Sequence, residues 1–520
     1  MKRAVLFVAL LAAGCTVGPN YRRPEPPTGL PPQFGEATTG SEPAPDLAGW
    51  WRTYDDPELN RLIELALAGN PDIGIATARI AQARAAEREA GAQLLPEVDA
   101  TAGANYTRFS KNAGLSSLSS LFGGGAGSGA GGGGSQGGSG GSSGGSSSGG
   151  GIAAPGDSIH TFSLGFDASW EIDLFGGGRR GVESAVARRE ASVWNARDAQ
   201  ISLVAEVADT YLQLRALQQR EAIARDEVAR QQGYLAIAEH TSQAGLLAHS
   251  DFIRQRTELA SAVAAIQPIV AQGKAEMHAL GALAGQTPDS LIVELSQPRP
   301  TLALPPAIPP GLPSDLLRRR PDVRAAERNL AAATADIGVA VADLFPKFSL
   351  TGVVELISTA LSNLFSPDSL QLTANANATF PVLDFGRGRA RVDQRKAAAD
   401  EAYYQYQKVV LGALREVEDA LTRIRADNDQ RQSLASGLAD AQVAVRAVEA
   451  RYRAGLTDYG DVLLARRSVL AAEDGLAVAE GNQRRDLVAL YKALGGGWEG
   501  LPLAEPGAGT TVKNYTRPKG

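Results

Sequence analysis

One cysteine, two methionines, four histidines and 6% aromatic residues in 520 positions leave little material for several classes of protein. A lone cysteine excludes an internal disulfide, a thiolate zinc site and a CxxC redox pair. The histidines, His160, His240, His249 and His278, share no metal-ligand spacing such as i, i+4, and none has an adjacent partner suggestive of a catalytic triad. Neither catalysis nor a cofactor is therefore expected. Basic charge is not in excess either: 51 Lys and Arg stand against 57 Asp and Glu. Neither nucleic acid nor an anionic membrane surface is indicated as a partner. No internal run of about eighteen or more apolar residues exists, so no transmembrane helix is expected beyond the start of the chain. Gly133-Gly134-Ser135-Gln136-Gly137 copies a serine-hydrolase elbow, but it lies in a glycine-serine stretch without the strand and helix that motif needs.

The start reads as a targeting segment. Lys2 and Arg3 precede a short apolar run, Ala4 to Ala13, which is too short to span a bilayer as a mature helix. It ends at Leu11-Ala12-Ala13-Gly14-Cys15. Small residues before a cysteine at that place resemble a bacterial lipoprotein signal. A signal peptide over 1–14 is expected, with Cys15 lipidated as the first mature residue and a lipid-anchored N-terminal segment over 15–55.

What the chain has in quantity is internal symmetry. Asn70-Pro71-Asp72-Ile73 is echoed by Arg320-Pro321-Asp322-Val323, and Leu94-Leu95-Pro96 by Leu344-Phe345-Pro346, both 250 positions on. Further along the offset is 210: Phe175-Gly176 matches Phe385-Gly386, Glu206-Val207 matches Glu416-Val417, and Ala244-Gly245-Leu246 matches Ala454-Gly455-Leu456. One insertion of 40 residues in the first copy accounts for the change, most of it in the Gly/Ser-rich stretch 123–151. That stretch has nothing to bury and cannot offset its ordering entropy, so a disordered loop is expected. The division is repeat 1 over 56–285, a Pro-rich linker over 286–313, repeat 2 over 314–495 and a tail over 496–520.

Four segments alternate apolar and polar residues with period two, at about 97–109, 160–173, 347–356 and 370–382. Val98, Ala100, Ala102, Ala104 and Tyr106 alternate with Asp99, Thr101, Gly103 and Asn105; Leu370, Leu372, Ala374 and Ala376 alternate with Gln371, Thr373 and Asn375. Each is near the length a tilted strand needs to cross the hydrocarbon layer. A half-buried sheet in a soluble sandwich gives the same pattern. If the strands face lipid, four are too few to close a barrel, which takes about eight or more. Oligomerisation follows, and two or three chains would satisfy it.

Long Ala-rich helices accompany the strands. Helices are expected between Pro71 and Pro96 and between Pro321 and Pro346, then over about 179–243 and 387–453, the last with a break near Ser436-Gly437. Returning helices follow over about 250–283 and 459–494. Tyr403, Tyr406, Val410, Ala413, Val417, Ala420 and Ile424 keep a three-four spacing, which is a coiled-coil seam. Arg415, Glu416, Glu418, Asp419 and Arg423 occupy the other faces, which suits a wall wetted on both sides better than a thick core.

Taken together, these motifs resemble the outer-membrane factor family of efflux systems, in its TolC/OprM/NodT lipoprotein branch. The resemblance is carried by Cys15-Thr16-Val17-Gly18-Pro19-Asn20-Tyr21, Trp50-Trp51, Asp56-Pro57-Glu58-Leu59, Trp170-Glu171-Ile172-Asp173-Leu174-Phe175-Gly176, Leu316-Leu317-Arg318-Arg319-Arg320-Pro321-Asp322-Val323, Phe345-Pro346 and Leu494-Gly495-Gly496-Gly497-Trp498. The Gly/Ser insertion departs from the usual pattern. The resemblance implies a mixed α and β membrane protein: a homotrimer whose twelve strands form one barrel, continued by a periplasmic coiled-coil barrel of helices. It also implies a periplasmic adaptor (membrane fusion protein), an inner-membrane transporter of the RND class, and outer-membrane lipid as partners. The family places its gate at the second hairpin turn, so Asp458, Tyr459 and Asp461 are the candidates there, with helix capping by either Asp as the plainer role. Ala244, Gly245, Leu246, Ala454, Gly455 and Leu456 would carry adaptor docking, against a plain helix-ending turn. The rival to a channel is a structural coiled-coil lipoprotein or an adaptor that tethers the two membranes, which needs no strands in lipid.

Overall fold

The computed structural model describes residues 16–25, 34–35, 47–108, 158–244, 248–297, 299, 302 and 318–503. Cys15, Gly245, Leu246 and the Gly/Ser stretch lie outside the described residues. The chain divides into two compact units.

The first unit is built on an antiparallel sheet of β1 (Glu97–Arg108), β2 (Ser158–Ile172), β3 (Lys347–Ser358) and β4 (Leu370–Thr379), in that order. The register brings like beside like. Val98, Ala100, Ala102 and Ala104 face Ala168, Phe166, Leu164 and Phe162. Across the next boundary, Leu164, Phe166 and Trp170 face Leu356, Val354 and Leu350, and these face Leu370, Leu372 and Ala376. Because strand side chains alternate between faces, this pairing makes one apolar face over all four strands. Among the described residues that face is exposed: Phe166 is 61% exposed and Leu372 70%. β4 stops at Thr379 because Pro381 has no N–H to extend a ladder. Below the strands Phe175 stacks on Phe345 at 4.6 Å, and the Trp170 indole donates to the Leu94 carbonyl at 2.9 Å.

The helices are α1 (Pro57–Gly69), α2 (Pro71–Ala92), α3 (Gly177–Gln243), α4 (His249–Leu283), α5 (Pro321–Ala342), α6 (Arg387–Arg453) and α7 (Tyr459–Ala493). Their starts follow local chemistry. α1, α2 and α5 each open on proline, whose missing N–H costs nothing in the first turn. The Asp56 carboxylate caps α1 by accepting from the Glu58 and Leu59 amides. Lengths recur: α2 and α5 have 22 residues, α3 and α6 have 67, and α4 and α7 have 35. A 67-residue helix runs about 100 Å.

The break expected near Ser436-Gly437 does not occur; α6 is continuous. One interior glycine costs about 1 kcal/mol against alanine, too little to interrupt a helix held along its length by packing. Of the seam residues, Tyr406, Val410, Ala413, Val417 and Ala420 are buried, whereas Tyr403 is 37% exposed. Sequence reasoning gave little weight to a filled core, yet the second unit has one. Trp50, Trp51 and Tyr54 of a short 3-10 turn pack with Leu59, Leu62, Tyr211, Leu214, Leu490 and Tyr491. Trp50 stacks on Tyr491 at 4.6 Å. The buried phenols find partners, Tyr54 donating to the Arg484 carbonyl and Tyr211 to the Asp56 carboxylate.

Gly285 ends α4 in the left-handed region, and a Cβ there would lie 2.0 Å from the Gly69 carbonyl oxygen. A Cβ at Gly437 meets nothing within 4 Å. Gly285→Ala should therefore lower the thermal unfolding midpoint of the detergent-solubilised protein, through steric overlap and left-handed strain together. Gly437→Ala should raise stability by about 1 kcal/mol.

Candidate functional site

The second hairpin turn is a left-handed helix ending followed by a capped helix start. The Gly455 and Leu456 amides donate to the Tyr452 and Arg451 carbonyls, both at 2.9 Å, which completes a Schellman ending with Gly455 at φ 69°. Leu456 is 69% exposed, and a Cβ on Gly455 would meet nothing within 4 Å. In the first turn the Ala244 amide donates to the His240 carbonyl at 3.1 Å, where α3 ends.

The two candidate carboxylates do different things. Asp458 is the N-cap of α7 and accepts from the Asp461 amide at 3.1 Å. Asp461 is not the cap; its carboxylate accepts from the Thr457 hydroxyl. Tyr459 turns inward beside Tyr452 and Tyr234, with ring centroids 5.8 and 6.2 Å away. Burial, reinforced by Tyr234, pushes its phenol up to about 12, so it stays neutral at physiological pH. A cavity of about 320 Å³ lies against these three rings and Gln255.

Behind the turn are polar links that sequence reasoning missed. The Gln255 amide donates to the Gln231 side-chain oxygen at 2.6 Å, and Gln231 donates to Glu227 at 2.6 Å; all three residues are buried. Arg466 lies over the Tyr234 ring at 4.6 Å and is paired with Glu449. Arg467 pairs with Glu258 and Arg220 with Asp474, tying the first hairpin to α7. The Glu227 and Gln231 spacing is visible in the sequence, but their partner becomes visible only once the hairpin register is known.

Midway along α6 and α7, Asp427 and Asp486 share a site with Arg423, whose guanidinium lies 3.6 Å from Asp486. Burial, then a hydrogen bond and repulsion from Asp486, raise Asp427 to about 7 against the pull of Arg423. No helix among the described residues is long and apolar enough to cross a membrane.

An apolar sheet with exposed edges and long paired helices is an uncommon combination, and comparison with known proteins finds it. The family described as Outer membrane efflux protein matches residues 62–286 and 312–496. The chain belongs to the outer membrane efflux protein family. It is 31% identical to the pyoverdine export outer membrane protein OpmQ of Pseudomonas aeruginosa, over 95% of this chain and 97% of that one. It is 29% identical to nodulation protein T of Rhizobium leguminosarum bv. viciae, over 98% and 96%. The solved structure of the outer-membrane channel OprN superposes with a TM-score of 0.80 at 34% identity, covering 93% of this chain and all of that one. As an outer membrane efflux protein, this chain resides in the outer membrane and serves as the exit channel of an efflux system. Its relatives are ducts and not enzymes.

The raised Asp427 carboxyl makes a test of the helical wall. A carboxyl whose folded pKa is raised binds its proton more tightly when folded, so stability falls as pH rises from about 4, the unfolded value, through about 7. Asp427→Asn should flatten that fall, unfolding at a higher temperature than the parent at pH 8 and at nearly the same temperature at pH 4.

Proposed function

We propose that three copies of this chain close one twelve-stranded barrel, continued by a periplasmic tunnel of the long helices, and that the assembly is a passive, gated exit duct. The observation that carries this is the sheet. Among the described residues it has four strands with one continuous apolar face, and β1 and β4 each have a single neighbour. Unpaired backbone groups cannot face hydrocarbon, so such a sheet in a membrane needs further strands from other copies. The rival reading, a structural lipoprotein or tethering adaptor, has no use for these strands. Energy would come from an inner-membrane transporter of the RND class, with a periplasmic adaptor bridging the two. The matched helix lengths and motif offsets support a duplicated ancestral unit.

Lipidation of Cys15 fits the same scheme. Thr16, the next residue, packs against Gly176 just past the end of β2: a Cβ on Gly176 would lie 2.9 Å from the Thr16 Cα. An acyl chain at position 15 would thus start beside the membrane strands. Cys15→Ser should abolish labelling by palmitate while leaving the oligomer intact.

The hairpin turns would serve as gate and docking surface. Asp458, Tyr459 and Asp461 form the gate candidates, and the ion pairs Arg467–Glu258 and Arg220–Asp474 would hold the hairpins together in the closed state. Ala244, Gly245, Leu246, Ala454, Gly455 and Leu456 would meet the adaptor. Gly455→Trp has room within the chain, and Gly455→Asn tolerates the left-handed backbone. The Trp variant should impair export by cells while membrane location and oligomer persist, and the Asn variant should export nearly as the parent does. Normal export by the Trp variant removes the docking assignment. The duct itself is tested by reconstitution in a planar bilayer: discrete conductance steps support it, and a purified protein that never conducts, even with the gate ion pairs removed, argues for the tethering role.

A further inference from the structure

Away from the turns and the sheet, a cavity of about 550 Å³ gathers positive charge. Its walls hold Arg23, Arg189, Arg318, Arg324 and Arg328. They come from the N-terminal stretch, from α3, from the chain just before α5 and from the first turns of α5. The nearby carboxylates are already engaged. Glu327 accepts from Arg328 at 2.7 Å and from the Tyr21 hydroxyl at 3.0 Å, and lies 3.4 Å from Arg23. Glu190 lies 3.3 Å from Arg328 and 3.8 Å from Arg189, whose closer partner is Glu87 at 2.6 Å. Three carboxylates are thus shared in ion pairs by Arg23, Arg189 and Arg328.

The surplus falls on Arg324 and Arg318, which make no ion pair or side-chain hydrogen bond among the described residues. Arg324 stacks over the Trp194 ring at 4.4 Å, with the Trp498 ring 5.9 Å away. Burial lowers its pKa, and repulsion from Arg23 adds to this, with Glu327 and Glu499 opposing. No described residue accepts from the Arg324 guanidinium, so its N–H edge is available. That edge is the part that matches an oxyanion in a two-point fork. A cation that is partly desolvated, held over an aromatic ring and repelled by a second arginine gains from an anion, and among the described residues no carboxylate pairs with it directly.

We propose that Arg23, Arg318 and Arg324 form a binding site for a phosphate-type oxyanion, either free phosphate or a phosphodiester of a lipid head group. Bound there, the anion bridges the N-terminal segment and the chain that leads into α5, and offsets the repulsion between Arg23 and Arg324.

Isothermal titration of the full-length protein in uncharged detergent tests this, with inorganic phosphate as the probe and chloride holding ionic strength constant. Saturable phosphate binding is expected, weakened about tenfold or more in Arg324→Gln, where charge-assisted bonds are lost. Arg23→Gln, at a side chain 54% exposed, should weaken it without endangering the fold. Arg189→Gln should leave it nearly unchanged, because Arg189 is already paired. A short-chain phosphatidylglycerol below its micelle concentration forms the second arm: if it competes with phosphate the natural source is a head group, and if it does not the source is a free ion. Absence of saturable binding by both probes, or binding unchanged in both Arg324→Gln and Arg23→Gln, overturns the proposal.

Discussion

Backbone hydrogen bonding at the edges of the four-stranded sheet is the constraint on which the rest of the structure depends. Among the described residues, β1 and β4 each present a row of N–H and C=O groups without a neighbouring strand, on a sheet whose apolar face no described residue covers. In water such an edge invites aggregation, and in lipid each unsatisfied group costs several kcal/mol. The apolar face calls for hydrocarbon and the edges call for more strands. Identical copies joined edge to edge, as proposed, would satisfy both demands.

The helical unit answers a different requirement. Helices of 67 residues cannot be stabilised along their whole length by one compact core, and here the core is concentrated around Trp50, Tyr54, Tyr211 and Tyr491. Elsewhere the helices rely on a narrow seam of small and β-branched residues such as Ala413 and Val417, and on charged pairs across neighbouring helices. Polar links of this kind define register and can be exchanged at modest energetic cost. They would suit the gated tunnel proposed above better than an apolar interface would.

Much of this was legible in the sequence because the informative patterns are periodic. Alternation along about 97–109 and 370–382 announced strands that run over Glu97–Arg108 and Leu370–Thr379, the second expectation running three residues too far, and Pro71 and Pro321 open α2 and α5. The family motifs led to the outer membrane efflux proteins, to which the chain belongs, whereas four strands alone allow more than one number of copies. The failures have local causes. Ser436-Gly437 looked like a helix break because propensity was weighed without the surrounding 67-residue context. The division of labour between Asp458 and Asp461 needed the actual turn, in which one aspartate caps the helix and the other accepts from Thr457. The filled core and the arginine cavity join segments far apart in the chain, Arg23 with Glu327 and Tyr54 with Arg484, and no spacing rule reports such meetings.

The central claim is that β1 of one copy pairs with β4 of another inside the outer membrane. Cysteines introduced one at a time in β1, as at Ala102, combined with each position of β4 from Leu372 to Asn375 in a Cys15→Ser background, test it directly. Oxidation in isolated outer membranes should yield covalent ladders ending at trimers, at alternate β4 positions only, as a paired strand edge requires. Monomers alone across every combination, in membranes where the protein is folded and present, would contradict the shared barrel.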